Sequence, residues 1–73
     1  MKIKQYYCVG FNHKENNWHL CKHVGDTYTL DEWLRIAYPK QSEDFLKDYF
    51  EGWKPKDITD YLFVNMGIRL VKA

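Results

Sequence analysis

Cys8, Cys21, His13, His19 and His23 are the side chains whose types and spacing come closest to chemistry. Thiolates and imidazoles are the ligands zinc favours, and a thiol beside an imidazole is the usual start of a cysteine nucleophile. If the segments carrying Cys8 and Cys21 pair as strands, the two thiols face each other across the ladder. His19 and His23 then flank Cys21 two residues either way, and His13 sits in the intervening loop. On such a strand His19 and His23 lie roughly 13 Å apart, too far to share one ion with Cys21 between them. A CxxC knuckle is also absent. The expectation is therefore no metal, with Cys8, Cys21, His19 and His23 as the residues that would hold zinc in a small zinc-stabilised domain. A cross-strand disulfide is the other use of the pair, but two cysteines in a chain without a secretory signal do not make a disulfide framework. The favoured reading is that both are small, half-buried hydrophobes.

The same anticipated sheet face supports a second reading. Lys4, Tyr6, His19, His23 and Arg69 would set charge around an aromatic ring, the combination that single-stranded nucleic acid binders use. Catalysis has less to stand on. There is no glycine-rich phosphate loop and no paired-carboxylate motif. A chain of 73 residues can also scarcely enclose a substrate cleft. The chain is expected not to be an enzyme and to need no cofactor.

Charge points elsewhere. Eleven basic and ten acidic residues leave a net charge of +1, so strong nonspecific attraction to nucleic acid is not expected. The distribution is uneven, however. Residues 26–51 hold seven acidic side chains against Arg35, Lys40 and Lys47, while the flanking segments are net positive. Asp31, Glu32, Glu43, Asp44, Asp48 and Glu51 form the acidic stretch and are the expected partner-binding residues, suited to a basic protein surface or to imitating phosphates. The favoured function is a small intracellular protein-binding module acting by surface occupation. Nine lysines against two arginines in so small a domain also fit an inhibitor or regulator encoded by a phage or mobile element, acting on a host or defence complex.

The elements that must position these residues can be read in order. Ile3 to Phe11 alternates, with Ile3, Tyr7, Val9 and Phe11 expected on the core side and Tyr6 and Cys8 on the other. Trp18 to Val24 alternates again, which predicts a hairpin pairing Val9 with Leu20. Thr29 and Glu32 form a capping box that starts a helix at Leu30, and Pro39 ends it. Ser42 caps a second helix reaching Gly52, with Phe45, Leu46, Tyr49, Phe50 and Trp53 as an aromatic face. Pro55 opens a third helix, Gly67 ends it, and Ile68 to Val71 is a closing strand. The order ββαααβ predicts one α+β domain over residues 1–73, its three-stranded sheet covered on one face by helices, with the last strand beside the first.

So short a chain has a limited core, and its 13 aromatic residues are expected to supply most of it. The opening residues lack a continuous apolar region and no run reaches membrane-span length. A cytoplasmic protein with no membrane partner is expected; a second sheet face buried with Tyr6, Cys8 and Cys21 would favour a homodimer, and an open one would favour a ligand.

Overall fold

The computed structural model describes residues 5–73 and shows the expected small α+β domain. Its elements are β1 (Tyr6–Phe11), a 3-10 helix (Trp18–His23), β2 (Thr27–Tyr28), α1 (Leu30–Ala37), α2 (Glu43–Tyr49), α3 (Pro55–Met66) and β3 (Ile68–Lys72). The three strands form one antiparallel sheet in the order β2-β1-β3, so the closing strand does lie beside the first.

The helices begin and end where their caps dictate. The Glu32 amide donates to Thr29 Oγ1 at 3.3 Å and the Thr29 amide donates back to Glu32 Oε1 at 3.0 Å, which completes the capping box of α1. Ser42 Oγ accepts from the Phe45 amide at 3.1 Å and starts α2. This helix stops at Tyr49, short of Gly52. Pro55 occupies the first turn of α3, whose end is set by Gly67 in the left-handed conformation at φ 69°. A Cβ at Gly67 would also meet the Asn12 carbonyl oxygen at 3.1 Å, so any other residue there is both strained and crowded.

Two expectations fail. First, Trp18–His23 is a 3-10 helix and not the second strand of a hairpin. The cause is Asn17, a fully buried amide. Its Nδ2 donates to the carbonyls of Asn12 and Met66, and its Oδ1 accepts from the Lys14 amide at 2.7 Å. This ties the loop to the end of α3, so the chain curls there and does not run back along β1. The partner of β1 is instead the short β2, in the register Tyr6↔Tyr28 and Tyr7↔Thr27. Gly25 turns the chain into it at φ 93°, and its amide donates to the Cys8 carbonyl at 2.9 Å.

Second, β1 presents the opposite face to the core. Tyr6 and Cys8 are buried, whereas Tyr7 and Val9 are exposed. Both faces of Tyr6-Tyr7-Cys8-Val9 carry one aromatic and one small apolar residue, so alternation alone cannot choose between them. Trp33 decides it. This wholly enclosed indole donates from Nε1 to the Tyr6 carbonyl at 2.8 Å and packs edge-to-face on Tyr28, with ring centroids 5.0 Å apart. A register shift between Cys8 and Gly10 then restores Phe11 to the core side, opposite buried Ile68. The apolar side of the expected hairpin, Val9 and Phe11 on its first strand with Trp18 and Leu20 on its second, is thus half right. Leu20 is fully buried and Phe11 packs on the core, while Val9 and Trp18 are 45% and 58% exposed.

Candidate functional site

The Cys/His constellation does not assemble, because the hairpin meant to carry it does not form. Cys8 is enclosed in the core, where burial pushes its thiol above the ordinary value, and Cys21 is exposed. His19 and His23 are four residues apart on the 3-10 helix, so the strand spacing of the sequence argument does not apply. With three residues per turn, positions four apart still point about 120° from each other. Accordingly His19 Nε2 lies 3.3 Å from the Ala37 carbonyl, whereas His23 Nδ1 lies 3.0 Å from Asp26 Oδ2 and its ring meets Tyr28 and Trp33. Among the described residues no group of three His, Cys, Asp or Glu side chains is placed to hold a metal ion.

The anticipated nucleic-acid face fares similarly. Tyr6 is in the core, the two histidines are engaged as above, and Arg69 points outward from β3 between buried Ile68 and half-buried Leu70. Lys4 lies outside the described residues. What the outer face of the sheet does expose is Tyr7, Val9, Arg69 and Val71.

The acidic helices, by contrast, do come together. A cleft of about 700 Å³ runs between α1 and α2, floored by Leu34, Leu46, Phe50 and Ile58. Asp31, Glu32, Glu43, Asp48 and Glu51 all line it, and Asp44 does not. Capping explains part of this convergence. The capping box at Thr29 and the single cap at Ser42 start α1 and α2 so that Asp31, Glu32 and Glu43 fall in first turns, where carboxylates favour the positive end of the helix dipole. Arg35 and Lys47 also line the cleft, leaving five carboxylates against two cations. Arg35 reaches across to Glu43, Nη1 to Oε1 at 2.7 Å, and ties α1 to α2. Hydrogen bonds from the Thr29 amide and hydroxyl hold the Glu32 carboxyl below its usual value, so its charge already serves the cap. Among the described residues, the side chains of Asp31, Asp48 and Glu51 make no hydrogen bond or ion pair.

Beside the cleft is a layer of aromatic rings. Tyr61 stands at its centre, with Phe50 at 5.2 Å, Trp53 at 5.4 Å, Tyr49 at 6.1 Å and Tyr38 at 6.4 Å between centroids. The Tyr38 hydroxyl is buried and finds no hydrogen-bond partner among the described residues. Burial, and after it the neighbouring Tyr61, pushes its pKa up to about 12. Phe45, Tyr49 and Trp53 remain substantially exposed. On the far side of Phe50 a second, more open cavity of about 570 Å³ is lined by Trp53, Asp57, Asp60, Tyr61, Val64 and Asn65. Sequence reasoning missed this corner, although its signal was present. Asp57, Asp60, Tyr61 and Val64 follow the i, i+3, i+4, i+7 spacing of one helix face, and that face is polar where the buried stripe of Ile58, Leu62 and Met66 is not.

Comparison with known proteins returns nothing to set beside this geometry: no family model, no curated protein and no solved structure matches the chain.

Proposed function

We propose that the protein is a binding module that occupies a basic surface on another protein through the α1–α2 cleft, without catalysis. The observation that carries this reading is the convergence of five of the six acidic residues on one cleft with an apolar floor. Carboxylates so arranged attract a positively charged surface over distance and give specificity and association rate, while the exposed rings of Phe45, Tyr49 and Trp53 at its border supply the apolar contact that anchors an interface. An inhibitor or regulator, the role suited to a product of a mobile element, would act in this way by covering the basic site of its target. Arg35 and Lys47 set the register, since an incoming cation must approach the acidic positions that they leave free.

The test is a triple reversal, Asp31→Lys, Asp48→Lys and Glu51→Lys, compared with the unaltered chain for recovery of partners from lysate and for affinity toward any partner recovered. All three residues are exposed, so the fold should persist. The proposal expects loss of binding, together with binding by the unaltered chain that weakens as salt rises. Undiminished recovery by the reversed protein contradicts it.

A further inference from the structure

We propose that the corner between Trp53 and α3 is an arginine-binding site, taking the guanidinium group of a side chain presented by the basic partner. The inference rests on the protein-binding reading above but on different residues. Three features of the corner converge on this ligand.

The first is the aromatic wall. Trp53 is 36% exposed, yet it is not free to move. Phe50 meets it at 74° with centroids 4.8 Å apart, and Tyr61 meets it at 84° and 5.4 Å. Braced from two directions, the indole is fixed before any ligand arrives, which lowers the entropic cost of binding. Indole is also the aromatic group that attracts cations most strongly.

The second feature is that the polar groups lining the corner are acceptors. Among the described residues the Asp57 carboxylate receives only the Lys54 amide, through Oδ2 at 3.4 Å, which leaves its other oxygen without a donor there. The Asn65 amide donates from Nδ2 to the Tyr61 carbonyl at 2.9 Å, which leaves its side-chain oxygen as an acceptor. Asp60 is approached only by Lys56 Nζ at 3.6 Å, and both side chains are mostly in solvent. Such a pair contributes little and is readily displaced.

The third feature is the match between this acceptor set and ligand chemistry. Asp57 and Asp60, neighbours one turn apart on α3 beside a flat ring, suit a planar cation with several N–H donors, whereas Asn65 lies about 12 Å further along the helix from Asp57 and is beyond the reach of the same group. Guanidinium offers five donors and a face that stacks on indole. An ammonium has no plane to stack, and a trimethylated ammonium has no donor for the acceptors. The cleft and the corner are joined through Phe50, which lines the first and packs on Trp53 in the second. One basic segment can therefore place its general positive charge in the cleft and an arginine in the corner.

The experiment is an NMR titration of the whole protein with N-acetyl-arginine amide, followed at the indole N–H signals of its three tryptophans. Trp33 is enclosed and bonded to the Tyr6 carbonyl, and Trp18 is the most exposed of the three, so they serve as buried and exposed controls. The Trp53 signal should move saturably while those of Trp18 and Trp33 stay in place. N-acetyl-lysine amide and its trimethylated form should each bind about threefold or more weakly, because both keep the cation–π attraction but the first cannot stack and the second has no N–H to donate. Asp60→Asn should weaken arginine binding about twofold or more. A stationary Trp53 signal, an equal response at Trp18, or affinity for either lysine probe equal to that for arginine overturns the proposal. The triple reversal of the cleft should leave this titration unchanged. Failure of the cleft and failure of the corner are thus seen separately.

Discussion

Trp33 and Trp53 define two regions built from the same kind of residue and put to opposite use. Around Trp33 everything is closed: the indole N–H is spent on the Tyr6 carbonyl, and Tyr28 and His23 cover its ring edge-to-face. Around Trp53 the rings pack equally well on one side, but the other side opens on a cavity rimmed with carboxylates. Enclosed aromatic surface stabilises a small domain, whereas braced and open aromatic surface is held ready for something else. The difference teaches where substitutions should cost stability and where they should cost mainly binding.

The largest expected effect is in the closed region. Trp33→Ala removes the centre of the core and should cost about 3 to 5 kcal/mol, comparable with the whole stability of a domain this size, so thermal melting should show a protein largely unfolded. Leu62→Ala, on the fully buried stripe of α3, should cost about 2 to 5 kcal/mol in denaturant unfolding. Little change in either would mean that the two regions are not divided as described. Next is Asn17→Ala, which orphans the buried Met66 carbonyl and frees the loop and should cost about 1 to 3 kcal/mol by the same measurement.

The open region should respond differently. Trp53→Leu should cost about 1 to 2 kcal/mol in denaturant unfolding, well below Trp33→Ala, while abolishing the arginine response, read at the amides of Gly52 and Asn65. A loss of stability like that of Trp33→Ala would erase the contrast between the two tryptophans. The smallest effect is one of pH. Tyr38 has its hydroxyl raised from 10.0 to about 12. A raised folded value means that its contribution is fully present below pH 10 and is lost as pH climbs through that window toward 12. Tyr38→Phe should therefore unfold less readily in alkali, as followed by circular dichroism, and equal alkaline sensitivity would show that this hydroxyl does not titrate with unfolding.

How much of this was legible in the sequence follows the same divide between local and distant causes. Thr29, Glu32, Ser42, Pro55 and Gly67 act on backbone groups within four residues, so the starts of the three helices and the end of α3 could be read directly, whereas α2 stops at Tyr49, before the expected Gly52. The face of β1 could not, because Tyr6-Cys8 and Tyr7-Val9 are nearly equivalent and the choice is made by Trp33, 27 residues along the chain. Nor could the 3-10 helix at Trp18 be foreseen, since it depends on the Asn17 bond to Met66, 49 residues away. The Cys/His site failed with that strand. Five of the six acidic residues converge on one cleft, Asp44 being the exception, because they stand on helices whose starts the caps set. The Trp53 corner was written in the spacing of Asp57, Asp60, Tyr61 and Val64, but the apolar stripe of the same helix drew the reading to its buried side.

The central claim is that binding belongs to the cleft and the corner and not to the outer face of the sheet. The most direct measurement is backbone NMR mapping of the whole protein during titration with a peptide rich in arginine and lysine. The account predicts perturbations confined to residues lining the two cavities, Asp31, Asp48, Glu51, Trp53 and Asp60 among them, fading as salt is raised. Perturbations centred instead on Tyr7, Val9 and Val71, or none at low salt, would contradict it.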